Sequence, residues 1–252
     1  MTTSAAPSYL ANAICVASFK LDRDLRFKAK EIEQNFNAAL SAQAIGTNVP
    51  DSAPPLIPRF TLQSGPKQIT VSQVTAQIEL NFKDQAKTSA ESIEIIKKNF
   101  KHFWHGIFKF KGAGELKDVG MVITLNRPLD LSSAEISKKI FDKFLTMPIH
   151  DDVVSAGLQV GFLDKSDQVF FNISANPYEM REIPFDSSNV DPSVVVDFES
   201  LPIKESGIEL KLDVNSKPMF QAGVAVTEEL GDKLFRRLKI LTDDYEKKII
   251  EW

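Results

Sequence analysis

The stretch Gly207-Ile208-Glu209-Leu210-Lys211-Leu212-Asp213-Val214 alternates apolar and polar side chains without a break. Successive side chains of a strand point to opposite faces, so Ile208, Leu210, Leu212 and Val214 face a core while Glu209, Lys211 and Asp213 face water. A sheet that is wet on one face is characteristic of antiparallel pairing. The same period of two runs through Val74, Ala76, Ile78, Leu80 and Phe82, and the apolar run 12–20 reads as a further strand. Segments 153–163 and 168–175 flank the polar turn Asp164-Lys165-Ser166-Asp167, the pattern of a hairpin. Val194-Val195-Val196 is a β-branched run that suits a strand. Phe108-Lys109-Phe110-Lys111 also alternates, and Gly112-Ala113-Gly114 can turn it into a strand over 121–125.

Helical spacing separates these strands. Leu25, Ala29, Ile32, Phe36 and Leu40 predict a helix over about 23–41. Thr88-Ser89-Ala90-Glu91 and Ser132-Ser133-Ala134-Glu135 are capping boxes, in which a hydroxyl accepts from the third helical amide and the glutamate reaches back. They open predicted helices at about 89–106, carrying Ile93, Ile96, Phe100, Phe103 and Ile107, and at 132–146, carrying Ile136, Ile140, Phe141 and Phe144. A long C-terminal helix follows over 227–251, with Leu230, Leu234, Leu238, Leu241, Tyr245, Ile249 and Trp252 on one stripe. The fold class is therefore α+β, mainly antiparallel sheet packed by helices. We expect one α+β domain over 10–252. The paired capping boxes also suit two similar lobes, 10–126 and 127–252. Five prolines make 41–67 a proline-rich loop.

Of the 252 residues, 43% are hydrophobic and 25% charged, the proportions of an ordinary folded chain that can bury a core without staples. A net charge of −4 gives no global attraction for nucleic acid or an anionic membrane. Cys15 is the single cysteine, so neither an intrachain disulfide nor a multi-cysteine zinc cage can form. The first eight residues carry no Lys or Arg and lack the order of a signal peptide, and no run reaches the ~18 apolar residues of a membrane span. A cytoplasmic location, with no membrane partner, is the expectation.

Three sets of residues have chemical character. Asp197 with Glu209 and Lys211 resembles the Asp and Glu-x-Lys sets of metal-dependent nucleases, where two carboxylates hold a divalent cation and the lysine positions water. Any solvent-facing strand gives the same spacing, and Glu115 with Lys117 repeats it. His102 and His105 stand three apart, and His150 precedes Asp151 and Asp152; three histidines in all make no marked metal site, and none is expected. Lys97, Lys98, Lys101, Lys109 and Lys111 form a basic patch with interleaved aromatics. Exposed, such aromatics would stack single-stranded nucleic acid; at helical spacing they are core. Cys15, between Ile14 and Val16, suits a small buried hydrophobe.

No P-loop, nucleophile elbow or dinucleotide fingerprint occurs, and no cofactor is expected. The C-terminal stripe needs a cover, supplied by the chain itself or by another protein. The expected function is a non-enzymatic interaction or assembly protein. It would bind a protein partner or a second copy through Leu234, Leu238, Leu241, Tyr245, Ile249 and Trp252. A nucleic-acid-binding protein or metal-dependent nuclease using the basic patch is the alternative.

Overall fold

A computed structural model describes residues 7–50, 52–82, 89–145, 152–182 and 197–250. Among the described residues nine strands form one antiparallel sheet, mixed with helices, as the period-two segments require. In chain order the elements are β1 (Tyr9–Phe19), α1 (Ala29–Phe36), β2 (Ile45–Gly46), β3 (Phe60–Ser64), β4 (Lys67–Val71), β5 (Thr75–Asn81), α2 (Ser89–Lys111), β6 (Leu116–Pro128), α3 (Ser133–Phe144), β7 (Leu158–Asp164), β8 (Val169–Arg181), β9 (Ile203–Asn215), α4 (Lys217–Gln221) and α5 (Leu230–Ile250). The strands pair in the order β2-β3-β4-β5-β1-β6-β9-β8-β7. Register follows the pattern: Ala13, Cys15 and Ala17 of β1 lie opposite Leu80, Ile78 and Ala76 of β5, all buried.

The chain divides into two compact units. One comprises 1–8, 126–159 and 174–210; the other comprises 9–125, 160–173 and 211–252. In the first, Ser132 caps α3. Its hydroxyl accepts from the Glu135 amide at 3.3 Å, and the Glu135 carboxylate accepts from the Ser132 amide at 2.8 Å. Ile136 and Ile140 are the face this helix buries. Gly207 has to be glycine, because a Cβ there would lie 2.1 Å from the Arg127 carbonyl oxygen.

In the second unit α2 is the central helix and packs on α1, α5, β1 and β5. Ile96, Phe100, Phe103 and Ile107 are buried on its inner face, and Phe36 of α1 stacks on Phe103 with centroids 5.5 Å apart. The crossing is close: a Cβ on Gly106 would lie 2.6 Å from the Asn35 carbonyl oxygen.

Three segments depart in kind from the sequence reading. The 23–41 helix is a single 3-10 turn at Leu25–Phe27 and a shorter α1, with Lys28 between them outside helical geometry. Leu25, Ile32 and Phe36 are buried as their spacing requires. Phe108-Lys109-Phe110-Lys111 is the last turn of α2 and not a strand. Phe110 continues the Phe103, Ile107 spacing, and Gly112, at φ +72°, ends the helix by donating its amide to the Phe108 carbonyl at 2.9 Å. The proline-rich loop contains β2 and β3. It folds around Arg59, only 3% exposed, whose guanidinium donates to the carbonyls of Ile57 at 2.8 Å and Ala53 at 3.0 Å. The Val194–Val196 run and Thr88 lie outside the described residues.

Candidate functional site

A helix with a buried aromatic face must show its polar face to solvent, and on α2 that face is basic. Lys97, Lys98, Lys101 and Lys109 are exposed. Lys111 is not: its side chain is 6% exposed, bonded to the Asp22 carboxylate, with its ammonium 4.0 Å from the Phe110 centroid and 4.5 Å from that of Phe19. Phe100, Phe103, Trp104 and Phe110 are buried behind the lysines, and Phe108 is half-buried. The aromatics serve the core.

The two histidines are turned to different partners. His102 Nδ1 lies 2.8 Å from the Ala38 carbonyl, and His105 Nδ1 lies 2.7 Å from a Glu228 carboxylate oxygen. A carbonyl can only accept, so Nδ1 of His102 carries a proton. His150 and Asp151 lie outside the described residues, and Asp152 is exposed. Among the described residues no group of three or more His, Cys, Asp or Glu could hold a metal ion.

Glu209, half-buried, and Lys211, exposed, lie two apart on β9 with Asp213. Burial pushes the Asp213 carboxyl up, while a hydrogen bond from Asn215 at 3.4 Å acts the other way. Asp197 is exposed and serves its own turn, its carboxylate accepting from the Glu199 amide at 3.1 Å. Cys15 is fully buried, and burial pushes its thiol up.

On the C-terminal helix Leu234, Leu238 and Leu241 are buried within the chain at 5% exposure or less. The side chains of Tyr245 and Ile249, and the whole of Trp252, lie outside the described residues. The helix begins against α2. Gly231 admits the Trp104 ring, which a Cβ would meet at 2.4 Å, and the Trp104 indole N–H donates to the Glu228 carbonyl at 2.6 Å.

Beside this contact runs a groove of about 410 Å³. Phe100, Trp104, Met121 and Phe235 are among its apolar lining, all buried. Lys97, Lys101 and His105 stand on the α2 side, and Glu228, Glu229 and Asp232 on the α5 side. Sequence reading found the basic wall and missed the acidic one. The clustered acids before Leu230 were the available signal, since carboxylates favour a helix N-terminus.

No protein-family model, curated protein or solved structure matches this chain. Among the described residues, no helix is long and apolar enough to cross a membrane.

Proposed function

We propose that this chain is a non-enzymatic interaction protein, and that its C-terminal helix acts as one wall of a groove for a segment of a partner protein. The observation that carries the reading is the groove between α2 and the start of α5, with an apolar lining between oppositely charged walls. An apolar side chain of the partner would sit in the groove against its Phe100, Trp104, Met121 and Phe235 lining. An acidic and a basic neighbour would meet Lys101 and Asp232, and such complementarity fixes orientation more than it adds affinity. Burial of Leu234, Leu238 and Leu241 supports the groove over the apolar stripe as the surface that meets the partner. We place the protein in the cytoplasm, where a lone buried thiol stays reduced.

Trp104 reports occupancy directly. In a Trp252→Phe chain, its fluorescence is titrated with short peptides carrying an acidic, a large apolar and a basic residue in either order. One order should bind. Lys101→Glu combined with Asp232→Lys should reverse the preferred order. If no peptide changes the emission, or the charge reversal leaves the preference unaltered, the reading is wrong.

A second reading, a nucleic-acid-binding protein or metal-dependent nuclease, has the four exposed lysines of α2 in its favour. Phosphate contacts make affinity fall steeply with salt, so a single-stranded oligonucleotide titrated at two salt concentrations tests binding. Incubation with Mg²⁺ or Mn²⁺ tests cleavage through Asp197, Glu209 and Lys211.

A further inference from the structure

Asn99 is out of place for a helix core. It lies on the apolar side of α2, between Ile96 and Phe103, and is only 5% exposed. Its amide N–H donates to the Ile95 carbonyl at 2.7 Å, and its side-chain oxygen accepts from the Lys67 ammonium at 2.9 Å. A buried amide held this way fixes where an ammonium points.

The cleft beside Asn99 encloses about 370 Å³, and Lys98 and His102 line it together with Lys67. His102 is held by the Ala38 carbonyl through Nδ1, which fixes the orientation of its ring. The described lining includes no carboxylate; Pro66, Leu80 and Phe82 supply an apolar side. We propose that this cleft binds a phosphate monoester carrying a small apolar group.

Charge and shape together select that class. Two lysines line one concavity, and a phosphate monoester carries about two negative charges near neutral pH, against one for a carboxylate. Ammonium-to-phosphate hydrogen bonds are about twice as strong as neutral ones. The apolar side gives the organic part a place that inorganic phosphate would leave to water. The phosphate could come from a free small molecule or from the 5′ end of a nucleic acid. The proposal stands apart from the α2–α5 groove, with which the cleft shares only His102 among the described residues.

The test is calorimetric titration of the full chain with phenyl phosphate, benzoate and a short single-stranded oligonucleotide with and without a 5′-phosphate. Phenyl phosphate should bind in the range of about 1 mM or tighter. Benzoate should bind at least about tenfold more weakly, and Lys98→Ala should weaken phenyl phosphate by about tenfold or more. Lys98 is exposed, so this variant leaves the core intact; Lys67→Gln should act in the same direction. Lys109→Ala, on the same helix outside the cleft, should leave binding unchanged. A 5′-phosphate requirement in the oligonucleotide would identify a nucleic-acid end as a source, and its absence a free small molecule. No binding of phenyl phosphate, equal weakening by Lys109→Ala, or oligonucleotide binding alone without regard to the 5′-phosphate would overturn the proposal.

Discussion

Lys111 and Asp22 form an ion pair at the end of α2 with both side chains 10% exposed or less, and Lys28 reaches the same Asp22 oxygen at 2.8 Å. Burial by itself would push the Asp22 carboxyl up. Hydrogen bonds and charge from Lys111 and Lys28 together outweigh it, and the folded value lies below the ordinary one. Burial, joined by the charge of Lys28, lowers Lys111 by more than Asp22 and Glu31 restore. Removing one partner of such a pair strands the other charge, at a cost of about 3–5 kcal/mol. Asp22→Asn should therefore lower stability toward urea at pH 7 by about 3 kcal/mol, and adding Lys111→Met should recover much of it. A carboxyl held low in the fold stabilises above its unfolded value, about 3.9, and the contribution fades as pH falls through the folded value. The gap between the parent chain and Asp22→Asn should then close in acid. A gap that does not narrow as pH falls below about 3.9 would refute the assignment.

Leu238 separates core from interface. It is 1% exposed within the single chain. Leu238→Ala should cost about 2–5 kcal/mol in chemical denaturation. It should leave the mass found by light scattering unchanged. A variant of unaltered stability and altered mass would return the stripe to the role of an intermolecular surface. Truncation after Thr242, compared in the same way, examines the end of the helix.

The α3 cap is testable without touching the core. Ser132→Ala should destabilise the unit that holds α3 by about 1 kcal/mol. Hydrogen exchange of the first α3 amides should accelerate accordingly. The Ser132 hydroxyl, and then its amide, hold the Glu135 carboxyl below its ordinary value. Its share of the cap is thus present at neutral pH and lost as pH falls through the folded value. Exchange at low pH should differ less between the two chains once intrinsic rates are removed.

Cys15 offers a probe of opening. With the thiol buried and pushed up, a disulfide reagent at pH 8 should not modify the native chain. One thiol should react once denaturant is added. Rapid modification without denaturant would contradict the placement of β1 in the core.

The strands were legible because period two has one reading when it persists. Gly207–Val214 lies wholly within β9, and β5 carries the Ala76, Ile78 and Leu80 face it promised. Four residues were too few: Phe108 to Lys111 satisfy period two and also complete the helical spacing from Phe103. Gly112 was read as a hairpin turn, and its positive φ instead stops a helix. The 23–41 pattern named Leu25, Ile32, Phe36 and Leu40 as buried, though Ala29 is half-buried, and could not show that the backbone leaves helical geometry at Lys28. The groove was half legible. Lys97 and Lys101 stand out against an acidic chain, whereas Glu228, Glu229 and Asp232 resemble any acidic helix start. Lys67 and Asn99, 32 positions apart, meet only through the fold.

Arg59 brings a different kind of robustness to the 41–67 loop. Its guanidinium is held by the Ile57 and Ala53 carbonyls and, at 3.5 Å, by the Gln73 amide oxygen. None of these acceptors is a carboxylate, so acid has no group among them to neutralise. The corner at Asp22 and the hairpin turn where Arg237 grips Asp164 and Asp167 depend on ionised acids. As protons accumulate those two fastenings loosen, while the acceptors of Arg59 have no charge to lose. Acid should therefore act on the Asp22 corner and the Arg237 turn before it acts on the grip of Arg59.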